Sequence, residues 1–255
     1  MFIEERYKYI LDLLEKNGKV LVKDLSRDLS ISESMIRKDL QLLEKQNLLK
    51  RTYGGAINPK HTLTCTQSFR KRVAKNTHLK EIIAHKAFKQ IEENDTIFLD
   101  ASTTSYMIAK LIIAQDLPLT LITNMLEISS LIPANSKVHF IFIGGDYHPL
   151  VGGSVGSYAI KQIKQYRCHK AFIGCTGIDL NDGSINTAIS EDASTKKAIM
   201  SICSKLYLIM LNDKFETTGS FVFSQLTDFH GLITEELPSP ATIKLLESYD
   251  ICLIE

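Results

Sequence analysis

The chain has 255 residues, of which 44% are apolar and 23% charged, with a formal net charge of +1. That is enough chain for two domains with real cores, and the absence of any run of ~18 apolar residues excludes a membrane-spanning helix. Cys65, Cys168, Cys175, Cys203 and Cys252 are odd in number and widely spaced, with no Cys-x-x-Cys pair. They argue for reduced thiols, against a disulfide framework and against a metal site. The charged start, Met1 to Arg6, has no apolar signal segment, so a cytoplasmic protein is expected. Charge is uneven: residues 1–80 hold 17 Lys+Arg and 9 Asp+Glu, a balance of +8, and residues 81–255 hold 13 and 20, a balance of −7. A basic head on an acidic body suggests that the head meets a polyanion.

Glu4 to Lys16 is helical by period, with Tyr7, Ile10, Leu11 and Leu14 on one stripe and Asn17-Gly18 as its stop. Val20-Leu21-Val22 is a short β-type run. Lys23 to Leu29 is a second helix, Ser30-Ile31 a tight turn, and Ser32 the cap of a third helix reaching about Gln46. In this third helix Ile36, Leu40 and Leu43 share the buried face, while Ser34, Arg37, Lys38 and Gln41 share the other. Alone, such a helix is either an ordinary amphipathic one with a solvated basic face or a reader of the DNA major groove. Leu48 to Ile57 then has strand-like residues around a Gly54-Gly55 break and reads as the hairpin, or wing, of a winged helix-turn-helix. Lys50 and Arg51 can reach phosphates, and Ser34, Arg37 and Lys38 base edges. Asp39 is expected to pair with a basic residue of its own helix or to hold the wing.

Ile31-Ser-Glu-Ser-Met-Ile-Arg-Lys-Asp-Leu40 and Arg51-Thr-Tyr-Gly-Gly-Ala56 resemble the DeoR family of bacterial transcriptional regulators, with Met35 for a usual threonine and Lys38 for a usual arginine. Arg and Lys are not equivalent in bidentate base recognition, so these positions bear on the target sequence. The resemblance implies a DNA-binding set of Ser32, Ser34, Arg37, Lys38, Gln41, Lys50, Arg51, Tyr53 and Gly54, with double-stranded operator DNA as partner.

Asn58-Pro59-Lys60-His61-Thr62 is polar and proline-broken, and Phe69-Arg70-Lys71-Arg72 and Lys75 follow without an acid. Residues 58–76 are read as a linker, either a hinge that brushes phosphate or simply a solvated connection. The expected domains are 1–57 and 77–255.

The body alternates helical segments (77–91, 103–114, 125–131, 157–163, 190–204, 240–247) with short apolar runs (97–100, 119–123, 138–143, 170–174, 206–211, 231–234, 251–254). Repeated β-α units with near-continuous apolar strands predict an α/β fold with a mainly parallel sheet covered on both faces. Ligands of such sheets sit beyond the carboxyl ends of the strands. Polar or glycine residues fall there: Asp100, Ser102, Thr103 and Thr104; Thr123 and Asn124; Gly144 and Gly145; Gly174 and Gly177; and Lys214. Ser102 to Thr104, at a strand-to-helix turn, can cradle a phosphate or merely cap a helix.

The resemblance extends through this body. It implies an effector domain similar in fold to ribose-5-phosphate isomerase, a phosphorylated sugar as effector, and Asp192 and Lys196 as further landmarks. Asp192 stands where the family usually has Glu, and Leu211-Asn212-Asp213-Lys214-Phe215 where it usually has Asp-x-Ser-Lys-Phe. A regulator, not an enzyme, is expected, without cofactor or metal, as a homodimer or homotetramer because two heads meet adjacent half-sites. The rival is a sugar-phosphate isomerase carrying a basic appendage, using Asp100, Glu191, Asp192, Lys196 and Lys214 for acid–base work.

Overall fold

The computed structural model describes residues 3–17, 19–46, 48–52, 54–57 and 69–255. The readings that fell on Gly18, Tyr53, Asn58 to Thr62 and Cys65 lie outside them. The chain divides into two compact units, Met1–Leu63 and Thr64–Glu255.

The first unit runs α1 (Ile3–Asn17), β1 (Lys19–Leu21), α2 (Val22–Leu29), α3 (Glu33–Lys45), β2 (Lys50–Thr52) and β3 (Gly55–Ile57). The apolar stripes converge: Ile10 and Leu14 of α1, Leu25 of α2 and Ile36, Leu40 and Leu43 of α3 are all buried in one core with Val20, Val22, Leu49 and Ala56. The turn between α2 and α3 is fixed by Ser30, which takes a left-handed conformation (φ 53°). The Ile31 N–H donates to the Ser26 carbonyl (3.2 Å) and the Ser26 hydroxyl to the Ile31 carbonyl (2.6 Å). Ser32 caps α3, its hydroxyl accepting from the Met35 N–H at 3.4 Å. The hairpin forms a three-stranded antiparallel sheet of order β1-β3-β2. Gly55 is demanded by that pairing, since a Cβ there would lie 1.9 Å from the Val20 carbonyl oxygen. Asp39 does neither thing expected of it. It is 2% exposed and accepts two bonds from Arg6 of α1, at 2.9 and 3.0 Å, which ties α1 to the back of α3.

The second unit begins with α4 (Phe69–Ala74) and α5 (Thr77–Phe88). There follow β4 (Thr96–Leu99), α6 (Thr103–Gln115), β5 (Thr120–Thr123), α7 (Leu126–Ser129), β6 (His139–Phe142), β7 (Asp146–His148), β8 (Gly153–Val155), α8 (Gly156–Ile163) and β9 (Cys168–Ile173). The chain continues through β10 (Gly177–Asp179), β11 (Ser184–Thr187), α9 (Ser190–Met200), β12 (Cys203–Ile209), β13 (Phe221–Gln225), β14 (Gly231–Ile233), α10 (Pro240–Glu247) and β15 (Cys252–Ile254). Seven strands form one parallel sheet of order β15-β14-β12-β9-β4-β5-β6. Successive side chains leave opposite faces, so Ile97 and Leu99 join one core with α5 and α6, and Phe98 joins the other with α8, α9 and α10.

Three differences from the sequence reading matter. Helix α9 stops at Met200, because Cys203 already pairs with Cys168 in the sheet. A hairpin, β7-β8, and an antiparallel sheet, β10-β11-β13, stand where loops were read. These strands run three to five residues, and several are polar or glycine-bearing, such as Gly177–Asp179, so hairpin pairing and not apolar alternation defines them. Within 58–76, Phe69–Ala74 is helical, with Phe69 only 5% exposed in the core beside α6.

Candidate functional site

In the first unit, Ser32, Ser34, Arg37, Lys38 and Gln41 are all exposed, on the side of α3 opposite Ile36, Leu40 and Leu43. Arg37 makes a surface pair with Glu33 one turn back (3.1 Å), which water and phosphate can displace at small cost. Arg51 and Gly54 are exposed on the hairpin, and Lys50 belongs to β2. The Arg51 N–H donates to Glu44 Oε1 (2.8 Å), so α3 and the hairpin are held together at the exposed edge. Glu44 carries no sequence signal for this part. A helix with a firmly packed inner face and hydroxyl, amide and cationic groups outward, flanked by a hairpin, has the build of a major-groove reader.

In the second unit the strand order reverses between β4 and β9, as β5 and β6 follow β4 on one side and β9 starts the other. That is where an open parallel sheet leaves a crevice. Asp100 directly follows β4 and Gly174 directly follows β9. Asp100 is 1% exposed, and three donors converge on it: the Ser105 hydroxyl on Oδ1 (2.7 Å), and the Gly174 N–H (2.8 Å) and Lys196 Nζ on Oδ2. Ser102 caps α6, accepting from the Ser105 N–H at 3.1 Å, and so stands at the positive end of that helix. From α9, Lys196 also lies 3.7 Å from Asp192 Oδ1, and the Thr187 hydroxyl donates to Asp192 Oδ2 at 2.6 Å. A small crevice of ≈ 60 Å³ is lined by these groups: Ser102, Gly174, Thr187, Asp192 and Lys196, together with Arg72 of α4 and the apolar Leu150, Val151 and Ile189.

The electrostatics are nearly balanced. Burial opposes the Lys196 charge, but Asp100 and Asp192 together hold its pKa above the usual lysine value. Burial raises the Asp192 carboxyl, against the pull of Lys196 and Thr187. Burial also pushes the Cys175 thiol at the crevice wall up to about 12, which leaves it an inert thiol. Arg72 donates through Nη2 to the Leu150 and Val151 carbonyls (2.8 and 2.9 Å), while its buried Nε has no partner among the described residues. A buried charged donor without a partner, on a residue that lines the crevice, suits an anion.

Of the residues expected at the effector site, Ser102, Gly174, Asp192 and Lys196 line the crevice, and Asp100 supports it through Gly174 and Lys196. The others do not line it. Thr103 and Thr104 are buried in the first turn of α6. The Thr123 hydroxyl is spent on the Leu99 carbonyl and the Met125 N–H. Asn124 holds the Ser154 carbonyl (2.8 Å). The Gly144 N–H donates to Gln162 and Gly145 packs on Ala159. Gly177 lies against the Thr217 carbonyl, and Lys214 pairs with Asp213 at 3.6 Å. Their polar groups and backbones are taken up by neighbouring segments instead of the crevice. Arg72, Ser105 and Thr187 were missed. Arg72 had a signal, the basic run 70–72; Thr187 sits in a strand that only the tertiary structure defines.

A helix-turn-helix head with the build of a major-groove reader, followed by a parallel α/β body, has the organisation of a transcriptional regulator. The comparisons agree with this class. Residues 6–62 match the DeoR-like helix-turn-helix domain and residues 75–236 the DeoR C terminal sensor domain. The chain belongs to the DeoR family. It is 30% identical over 254 residues to the HTH-type transcriptional repressor GlcR of Bacillus subtilis, covering 100% of this chain and 96% of the relative. It is 28% identical to the glycerol-3-phosphate regulon repressor of Escherichia coli, covering 98% and 97%. It is 32% identical to the L-fucose operon activator of Haemophilus influenzae, covering 98% of each. Among solved structures, ribose 5-phosphate isomerase A from Methanocaldococcus jannaschii has a TM-score of 0.39 at 15% identity, covering 55% of both chains. Its relatives being DNA-binding regulators, the chain is placed away from enzymes. No described helix is long and apolar enough to cross a membrane.

Proposed function

We propose that this regulator is a cytoplasmic repressor of a carbohydrate catabolic operon, whose hold on its operator is set by a phosphorylated sugar in the crevice between β4 and β9. Residues 1–57 read DNA, with Ser34, Arg37 and Lys38 at base edges and Lys50, Arg51 and Gly54 near the backbone. Residues 77–255, with Arg72 added from α4, hold the effector. The phosphoryl group is met by the α6 N-terminus, Ser102 and Arg72, and sugar hydroxyls by Asp192 and Lys196. A homodimer or homotetramer presents two heads to paired half-sites. Among the relatives are the glycerol-3-phosphate regulon repressor and the lactose phosphotransferase system repressor, whose names join repression to a phosphate ester and to a sugar.

The observation that carries this reading is the crevice itself: Ser102 at the start of α6 and Arg72, whose Nε has no partner among the described residues, line it together with the Asp192–Lys196 pair, which is suited to hydroxyls. The isomerase alternative is disfavoured by the same geometry, because Asp100 is enclosed by three donors and is not presented to a substrate proton. A gel-shift titration of sugar phosphates against the chain's own promoter fragment tests the proposal. One sugar phosphate should change DNA affinity by at least tenfold. A sugar phosphate that binds the crevice and leaves DNA affinity untouched refutes the coupling.

A further inference from the structure

A helix as short as α4, Phe69–Ala74, does not stand on its own propensity. It is held by three kinds of contact, all within the second unit. Phe69 is buried and meets the Tyr106 ring edge-on at 5.8 Å, Tyr106 lying on α6, the helix whose start opens on the crevice. Lys80 of α5 donates to the carbonyls of Arg72 and Lys75 and so closes the carboxyl end of α4. Arg72 donates to the carbonyls of Leu150 and Val151 in the turn between β7 and β8. The next residue of that turn, Gly152, has φ +82°, and a Cβ on it would lie 2.9 Å from the Phe69 Cβ. The turn thus presses backbone-first on α4 while α4 grips it from the side.

Arg72, Leu150 and Val151 also line the crevice. A ligand there meets both halves of this contact together. In sequence, α4 is the first described element after residues 58–68, which lead from the DNA-reading unit. We propose that α4 and the 150–152 turn form a ligand-read clasp, with Phe69 and Gly152 as the residues that position Arg72, and that crevice occupancy reaches the DNA-reading unit by changing how tightly α4 is held. This rests on the crevice being the effector site. An anion that binds the Arg72 guanidinium in the crevice competes with the Leu150 and Val151 carbonyls for the same group. It favours whichever hold on α4 it binds better, and only that difference in affinity is transmitted.

Hydrogen exchange of the full chain, followed by mass spectrometry on peptides covering residues 69–76, 100–105 and 146–155, tests the clasp. Without ligand, Gly152→Ala should speed exchange of 69–76 roughly tenfold, the size of a left-handed backbone penalty. Phe69→Leu, which keeps an apolar group in the core, should speed it severalfold. Residues 100–105 should stay protected in both, which shows that the fold is intact. In the wild type, glucose 6-phosphate or inorganic phosphate should shift 69–76 and 146–155 together with 100–105. If the probe protects 100–105 and leaves 69–76 unchanged, the site stands and the clasp is wrong. If both variants exchange at 69–76 like the wild type, the clasp is wrong whatever the ligand does. If neither probe protects any segment, the effector reading fails for those compounds, and the two variants alone decide the clasp.

Discussion

Asp100→Asn gives the most direct test of the site's electrostatics. The substitution keeps the shape and an acceptor for the Ser105 hydroxyl, but removes the charge that faces Lys196. Lys196 is 4% exposed and then retains only Asp192, at 3.7 Å. Breaking one side of a buried pair costs ~3–5 kcal/mol, because the remaining charge stays out of water. Asp192 offsets part of this, so ~3 kcal/mol is expected. Lys196→Met alone should cost about as much, as it strands two buried carboxylates. The double variant removes one charge of each sign and should recover ~2 kcal/mol relative to the sum of the singles. With an m-value of ~2 kcal/mol/M in urea, a 3 kcal/mol loss lowers the midpoint of the second unit by ~1.5 M. The chain has no tryptophan, so far-UV circular dichroism is the signal. Additive single losses, or a loss under ~1 kcal/mol for Asp100→Asn, would show that the pair is not the keystone of the crevice.

Three further predictions follow from the same geometry. Arg37→Ala should weaken specific operator binding by ~1–3 kcal/mol and non-specific binding much less; equal losses in fluorescence-anisotropy titrations would assign Arg37 to phosphate. Arg6→Ala should destabilise the first unit by ~3 kcal/mol, since it strands Asp39 at 2% exposure between α1 and α3; a thermal melt unchanged in that unit would refute the buried pair. Burial, with Arg72 nearby, lowers the Lys80 pKa from 10.5 to about 8. Between those values the unfolded chain binds more protons than the folded one, so this group makes stability rise with pH from about 8 toward 10.5. Lys80→Met should flatten that rise in urea midpoints measured across the window, and an unchanged slope would show that Lys80 titrates normally.

The first unit was legible in the sequence because its signals are local. The stripe Ile36, Leu40, Leu43 and the cap Ser32 specify α3, and the polar face of α3 follows from the same period. Asp39 shows where that stops. Its partner, Arg6, is 33 residues away, and no local pattern points to it. In the second unit, apolar runs announced the strands and the rule of strand ends located the crevice in general terms. They could not decide which strand ends meet.

That choice belongs to strand order. Asp100 and Gly174 are brought together because β9 pairs directly with β4, and Lys196 reaches them from a helix 96 residues on. Gly144 and Lys214 follow strands just as clearly and are sent elsewhere. By itself the sequence settled a basic winged head, a parallel α/β body and a strand-to-helix turn at Ser102, since periodicity and capping act within a few residues. Only the tertiary structure decided that Asp100 is a buried keystone, that Arg72 belongs to the crevice, and that Phe69 lies against Gly152. Each of these depends on groups far apart in the chain meeting in close packing, where an unpaired charge or one extra methyl carries an energy no local pattern records.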